Sequence, residues 1–145
     1  MRKIRKIIIH CSATKEGHDI DAAEIKKWHV EGNGWSDIGY HYVIKLDGTV
    51  EEGRPLERSG AHTLNHNFDS IGICYIGGYE KKKKKGKWIN KDTRTKQQKD
   101  SMQDLLLCLK EDYKTAVIYN HNQFSTKSCP NFDAHEEYKW ISNIK

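Results

Sequence analysis

The stretch KIRKIIIHC, residues 3–11, is the clearest strand in the sequence. Its centre, Ile7–Ile9, is three β-branched apolar residues, a composition that favours a buried strand. Successive side chains of a strand point to opposite faces, so Ile8 and His10 should share one face and Cys11 should lie on the other. The stretch therefore predicts a core strand that carries a histidine at its carboxyl end.

Working outward, the apolar patterns and turn signals predict further elements on the carboxyl side of this strand. Asp47-Gly48 is a strong hairpin signal, and Thr95 with Gln98 forms a capping box in front of a helix. The predicted strands are Tyr40–Leu46, Thr49–Glu52, Ser70–Ile76 and Ala116–Asn120, and the predicted helices begin after Asp21, Thr95 and Asp133. We therefore expect an α/β fold, a central mixed β-sheet flanked by about three helices, in a single domain spanning residues 1–145.

Composition excludes several classes of protein. The chain has 145 residues, 36% hydrophobic and 31% charged, and it contains no apolar run long enough to span a membrane. The apolar stretch near the N-terminus is too short for a signal peptide, so we expect synthesis in the cytoplasm and release by another route if the protein acts outside. Four cysteines without a CxxC pair predict reduced thiols.

The charge pattern leaves the nature of the partner open. The formal net charge is +5, and Lys81–Lys85 is an uninterrupted run of lysines. Such a charge favours polyanions in general, including nucleic acid, anionic lipid and a carboxylate-rich wall. No zinc-finger, helix-turn-helix or RNA-recognition signature accompanies the run, so we interpret it as an exposed loop and expect no specific nucleic-acid partner.

The residues also offer a possible metal site. His10 and His121 each end a predicted strand, and Cys129 follows eight residues after His121. Catalytic zinc sites use three protein ligands and leave one position for water. Spacing alone does not separate this interpretation from a surface histidine, a core histidine and a buried thiol. Lys127 could stabilise an oxyanion beside such a metal, or it could be a solvated lysine.

Four segments together resemble a known family. They are IIIHCSAT, GWSDIGYHYVIKLDGTVEEGR, NHNFDSIGICYIGG and STKSCPNFD, and in this order they are similar to the zinc N-acetylmuramoyl-L-alanine amidases of the phage-lysozyme type, relatives of the peptidoglycan-recognition proteins. The resemblance runs from about residue 6 to about residue 140. It implies a zinc cleft in a mixed sheet and hydrolysis of the amide between N-acetylmuramic acid and L-alanine of the stem peptide.

The resemblance also implies the role of particular residues. His10, His121 and Cys129 match the zinc ligands, and Tyr40 and Lys127 match the catalytic tyrosine and lysine. Candidate substrate contacts are His41, His62 and Asn67. The implied partner is peptidoglycan, and we expect a monomer that does not bind membranes.

Two other functions stay open on the sequence. A non-catalytic peptidoglycan-binding module would bind muropeptides without turnover, but relatives that only recognise peptidoglycan lack the cysteine that Cys129 supplies here. A nucleic-acid or polymerase-binding regulator is suggested by Lys81–Lys85, and its binding would fall steeply with salt.

Overall fold

In the computed structural model, which describes residues 2–145, a five-stranded mixed sheet carries helices on both faces. The strands are β1 (Lys6–Cys11), β2 (Thr14–Lys15), β3 (Tyr42–Ile44), β4 (Val50–Glu52), β5 (Ser70–Tyr75), β6 (Gly78–Tyr79) and β7 (Val117–Asn120). The α-helices are α1 (Ala22–Lys27), α2 (Lys96–Asp112), α3 (Ala134–Glu137) and α4 (Lys139–Ser142).

The order of strands in the main sheet is β4-β3-β5-β1-β7. The strands β3, β5, β1 and β7 run parallel to one another, whereas β4 pairs antiparallel with β3 across the predicted Asp47-Gly48 turn. The predicted mixed sheet is thus confirmed. A separate two-stranded parallel ladder, β2 with β6, has too few residues to leave a periodic pattern in the sequence.

The strand β1 is buried on both faces, and the predicted alternation along it is confirmed. Ile7 and Ile9 belong to a core cluster that includes Met102 of α2. His10 stands in register with Cys74 of β5, and Cys74 belongs to a second cluster, which packs against α1. His10 and Cys11 therefore face opposite sides of the sheet, as β-strand geometry requires.

Several predicted boundaries were wrong. β1 begins at Lys6 rather than Lys3, and β3 begins at Tyr42 rather than Tyr40. The predicted last helix is two short helices separated at Tyr138, whose backbone leaves the helical region at φ −108° and ψ 16°. The buried Tyr138 hydroxyl accepts a hydrogen bond of 3.0 Å from Arg94, so packing against a distant part of the chain overrides the helical periodicity.

The edge strand β4 is short and acidic. It contains only Val50, Glu51 and Glu52, and Glu51 accepts a hydrogen bond of 2.8 Å from the backbone of Ala22 at the start of α1. This edge of the sheet is therefore covered in part by the start of a helix and otherwise presents charge to solvent.

Two expectations about the whole chain can be compared with the structure. All four cysteines are free thiols, with Cys11 and Cys74 buried and Cys108 exposed. Between residues 2 and 145, no helix combines the length and the apolar character needed to cross a membrane.

Candidate active site and metal centre

Two histidines meet at the carboxyl edge of the parallel strands. His10 lies near the end of β1, and His121 directly follows β7. Because β1 and β7 are parallel neighbours with Ile9 opposite Asn120, the next residue of each strand emerges at the same edge. The centroids of the two imidazole rings are 4.4 Å apart.

The loop after β7 brings Cys129 to the same place. The backbone amide of Asn122 donates to the carbonyl of Cys129 at 2.9 Å, which folds the loop back on itself. The amide of Cys11 donates to Cys129 Sγ at 3.1 Å and fixes the thiol beside the end of β1. One ligand atom from each of His10, His121 and Cys129 lies within 4.8 Å of the others, so the structure brings the three predicted ligands together.

The arrangement of ring nitrogens fits a metal ion. His10 Nε2 lies 2.9 Å from His62 Nδ1, which leaves His10 Nδ1 as the nitrogen available to a ligand. The nitrogen that binds a metal is set by the hydrogen bond that the other nitrogen makes. His121 Nδ1 is buried without a hydrogen-bond partner among the described residues. Two imidazoles and one thiolate are a donor set of catalytic zinc sites, so these residues fit zinc.

Burial sets the protonation state of the two histidines, His10 and His121. It lowers the pKa of His10 well below the ordinary value, with further contributions from His62 and His121. Burial also lowers the pKa of His121, and the positive charge of Lys127 adds to that effect. Both imidazoles are therefore neutral near pH 7, which is the form that binds a metal.

His62 contacts His10 directly. Its ring lies flat on β5 because residue 72 is glycine: a Cβ there would come within 2.6 Å of His62 Cδ2. The His62 ring is also within hydrogen-bonding distance of Thr63 Oγ1 at 2.9 Å and Ser70 Oγ at 3.3 Å. These contacts hold His62 as the partner that orients His10; its predicted contact with substrate stays a prediction.

Replacing His62 by alanine is expected to weaken metal binding by about 10- to 100-fold, the usual effect of removing a hydrogen-bond partner of a ligating histidine. Competition of the protein with a chromogenic chelator measures this affinity without any substrate. His18→Ala, an exposed histidine on another part of the surface, is the matched control. An affinity within twofold of the unsubstituted protein would show that His62 does not orient His10.

Tyr40 and Lys127 both lie near this cluster. The Tyr40 ring is 5.0 Å from the His10 ring, and burial raises the pKa of its phenol well above the ordinary value. The phenol therefore stays protonated and can donate a hydrogen bond. Lys127 is exposed, lines the same cleft as His62 and His121, and brings a positive charge to its rim.

An open cleft of about 590 Å³ leads to the cluster. Its walls include apolar side chains that the sequence did not single out, namely Trp35, Leu64 and Phe124. Leu64 is 82% exposed within a polar loop, and this exposure is not visible in the sequence. Asn67 is at the cleft wall, and its Oδ1 accepts from the amides of residues 62 and 63 at 3.0 and 2.9 Å. Asn67 thus fixes the loop that carries His62.

His41 is not brought to the cleft. Its side chain is only 1% exposed, and its Nε2 lies 2.8 Å from the carbonyl oxygen of Arg58. Its Nδ1 accepts from the amide of Gly72 at 3.1 Å. Burial lowers the pKa of His41 to about 4, so the ring is neutral near pH 7 and joins two backbone segments behind the site.

Known proteins resemble this chain in sequence and in fold. The model of the N-acetylmuramoyl-L-alanine amidase family, Amidase_2, matches residues 1–132. The chain belongs to this family. The amidase is 42% identical over 127 residues to the endolysin of Escherichia phage T7, a match that covers 88% of this chain and 80% of the relative.

Two further relatives agree with the assignment. Peptidoglycan-recognition protein SC2 of Drosophila melanogaster is 32% identical over 139 residues, covering 94% of the amidase and 70% of the relative. The solved N-acetylmuramoyl-L-alanine amidase LysC from Clostridium intestinale has 27% identity and a TM-score of 0.79, covering 99% of the amidase and 88% of that chain. The predicted class is confirmed: the protein is a peptidoglycan amidase, a lytic hydrolase of the cell wall.

Proposed function

We propose that this amidase holds zinc between His10, His121 and Cys129 and cleaves the amide that joins N-acetylmuramic acid to L-alanine of the stem peptide. The observation that carries the proposal is the convergence of these three ligand atoms within 4.8 Å at the carboxyl edge of the sheet. Membership of the N-acetylmuramoyl-L-alanine amidase family supports the assignment of the bond that is cleaved.

Zinc in such a site supplies a Lewis acid and a nucleophilic water near neutral pH. The protein fixes the positions of the metal ligands. His10 is held by His62, and Cys129 is held by the amide of Cys11, so two of the three ligands are oriented by hydrogen bonds before substrate arrives. Preorganised ligands do not have to move during the reaction, which lowers its barrier.

Tyr40 and Lys127 act on the scissile group. An oxyanion develops on the attacked carbonyl, and the Lys127 ammonium at the rim of the cleft can stabilise that charge. The protonated Tyr40 phenol, next to His10, donates a hydrogen bond to the same oxygen or to the attacking water. Trp35, Leu64 and Phe124 offer apolar surface beside the metal ligands, against which the sugar ring and the stem peptide can pack.

The place of action follows from the substrate. The amidase acts on the cell wall, and we propose that it is made in the cytoplasm and reaches the wall by a route that another factor provides. A non-catalytic wall-binding role would not explain why the thiol of Cys129 lies next to the imidazoles of His10 and His121. The catalytic role accounts for all three side chains.

Digestion of purified cell-wall sacculi tests this function. The zinc-loaded amidase is expected to release stem peptides with a free L-alanine N-terminus, detected by mass spectrometry. A chelator should stop the release, zinc should restore it and magnesium should not, because magnesium prefers oxygen ligands. Intact lactyl–alanine bonds at full zinc occupancy would refute the proposal.

A further inference from the structure

The lysine-rich segment after β6 is an ordered hairpin rather than a loose loop. In this basic hairpin, residues 80–91, the amide of Glu80 donates to the carbonyl of Ile89 at 2.9 Å. The backbones of Lys84 and Lys87 exchange hydrogen bonds of 2.9 and 3.0 Å. Lys85 and Gly86 close the turn with positive φ angles of 51° and 74°. The lysines therefore project from a defined scaffold.

The basic hairpin carries the positive charge of the protein. Residues 81–91 contain seven lysines and no acidic residue, out of 25 basic and 20 acidic residues in the chain. Removing those seven from 25 leaves 18 basic against 20 acidic residues, a net charge of −2. Among the described residues, Lys91 is the one hairpin lysine with an ion pair, at 3.0 Å from Glu16. The remaining ammonium groups are exposed and available to a partner.

The turn of the basic hairpin displays charge and contains no apolar side chain. The Trp88 ring stacks on Tyr79 with centroids 5.6 Å apart, and Lys83 Nζ lies 5.1 Å from the Trp88 centroid. The aromatic side chains thus brace the hairpin, while the turn itself, residues 84–87, consists of three lysines and a glycine. Beside the turn the Trp88 side chain is 41% exposed, but one aromatic ring is too small an apolar face for insertion into a bilayer. The turn therefore fits a lattice of fixed negative charges better than a lipid surface.

The base of the basic hairpin shares a groove with the loop that carries His121 and Cys129. Asn90 at its base lines a polar groove of about 440 Å³ together with Asn122 and Ser128. Both of these residues belong to the loop that carries His121 and Cys129. The groove therefore lies between the base of the hairpin and the loop that carries two of the metal ligands.

From this placement we propose that the basic hairpin is a second binding site for peptidoglycan, which takes carboxylates of stem peptides next to the one being cut. The proposal rests on the proposed function, since it assumes that the polymer occupies the cleft. When the cleft holds one part of the polymer, the neighbouring stem peptides stay close to the hairpin, so their effective concentration there rises. Exposed charges are screened within about 10 Å at 0.1 M salt, so this contribution should fade as salt rises.

The test compares the variant K81Q/K82Q/K83Q/K84Q/K85Q with a control variant. In the control, five exposed lysines outside the hairpin become glutamine, namely Lys3, Lys27, Lys99, Lys114 and Lys139. Both lose five charges, so a difference between them reports position. On sacculi at about 0.01 M ionic strength, the kcat/KM of the hairpin variant should be about tenfold lower than that of the control. A tenfold change corresponds to the free energy of about two or three exposed ion pairs. At about 1 M the two should be equal.

A soluble N-acetylmuramoyl tripeptide separates this inference from the proposed function. The hairpin variant should cleave it as fast as the control, because the fragment has no neighbouring stem peptide whose carboxylates the hairpin could bind. Sacculi whose carboxylates have been amidated should abolish the difference between the variants. If the unsubstituted protein cleaves neither substrate, the proposed function fails; if it cleaves both and the two variants agree on native sacculi, only the hairpin proposal fails. Selective loss of binding to anionic vesicles or duplex DNA, with equal activity on sacculi, would also overturn it.

Discussion

Cys129→Ser is expected to remove bound metal and to reduce hydrolysis of the soluble muramoyl tripeptide by about a thousandfold or more. Zinc contributes several kcal/mol to stabilisation of the transition state, and each 1.36 kcal/mol corresponds to about tenfold in rate. A serine hydroxyl is a poor replacement because the zinc ligand is a thiolate. The ligand cluster then retains only two imidazoles, which are too few for a catalytic zinc site.

Metal content by mass spectrometry and kcat on the same preparation measure this prediction. Cys108→Ser is the matched control, since Cys108 is the exposed thiol on α2 and does not contact the cluster. It should keep full metal occupancy and full activity. An active Cys129→Ser protein with zinc bound would require a different ligand set and would contradict the proposed centre.

Lys127→Gln, and independently Tyr40→Phe, should each lower kcat by about 10²–10³ while metal occupancy stays unchanged, by analogy with the loss of one oxyanion-hole donor. Glutamine keeps a polar side chain, one atom shorter than that of lysine, and removes the charge. Phenylalanine keeps the ring that packs against His10 and removes only the hydroxyl. Both changes therefore remove a single interaction with the reacting group.

Single-turnover rates with zinc-saturated protein distinguish this role from a structural one. Lys139→Gln on the exposed part of α4 and Tyr119→Phe in β7 serve as controls for the two changes. Activity within threefold of the unsubstituted enzyme at either position would remove that residue from the mechanism. Loss of zinc from the Tyr40 or Lys127 variant would instead show that the residue supports the metal centre.

Local signals in the sequence were sufficient for much of the fold. The Ile7–Ile9 run located β1, Asp47-Gly48 located the β3–β4 hairpin, and the capping box at Thr95 located α2, where both of its reciprocal hydrogen bonds are present. Each of these features depends on residues that are close in sequence. The break at Tyr138 depends instead on Arg94, which lies 44 residues away. Periodicity cannot report such a contact.

The metal site likewise combines features that follow from local sequence signals with features that depend on distant contacts. Two of the predicted metal ligands, His10 and His121, follow from strand ends, and parallel pairing brings strand ends together. The partners of His62 and His41 could not be predicted, because they depend on how the chain between residues 54 and 70 folds over the sheet. That conformation is fixed by side chains such as Asn67 and by Arg2, which donates to the carbonyls of Leu56 and Ser70.

The three-residue acidic edge of the sheet has a consequence for self-association. Unpaired edge strands can recruit strands from other molecules, and short length and charge are the usual protection against such aggregation. β4 has both, with Glu52 exposed at the end of the strand. The sheet therefore offers the strand of a second copy little to extend, and the protein should resist edge-to-edge aggregation.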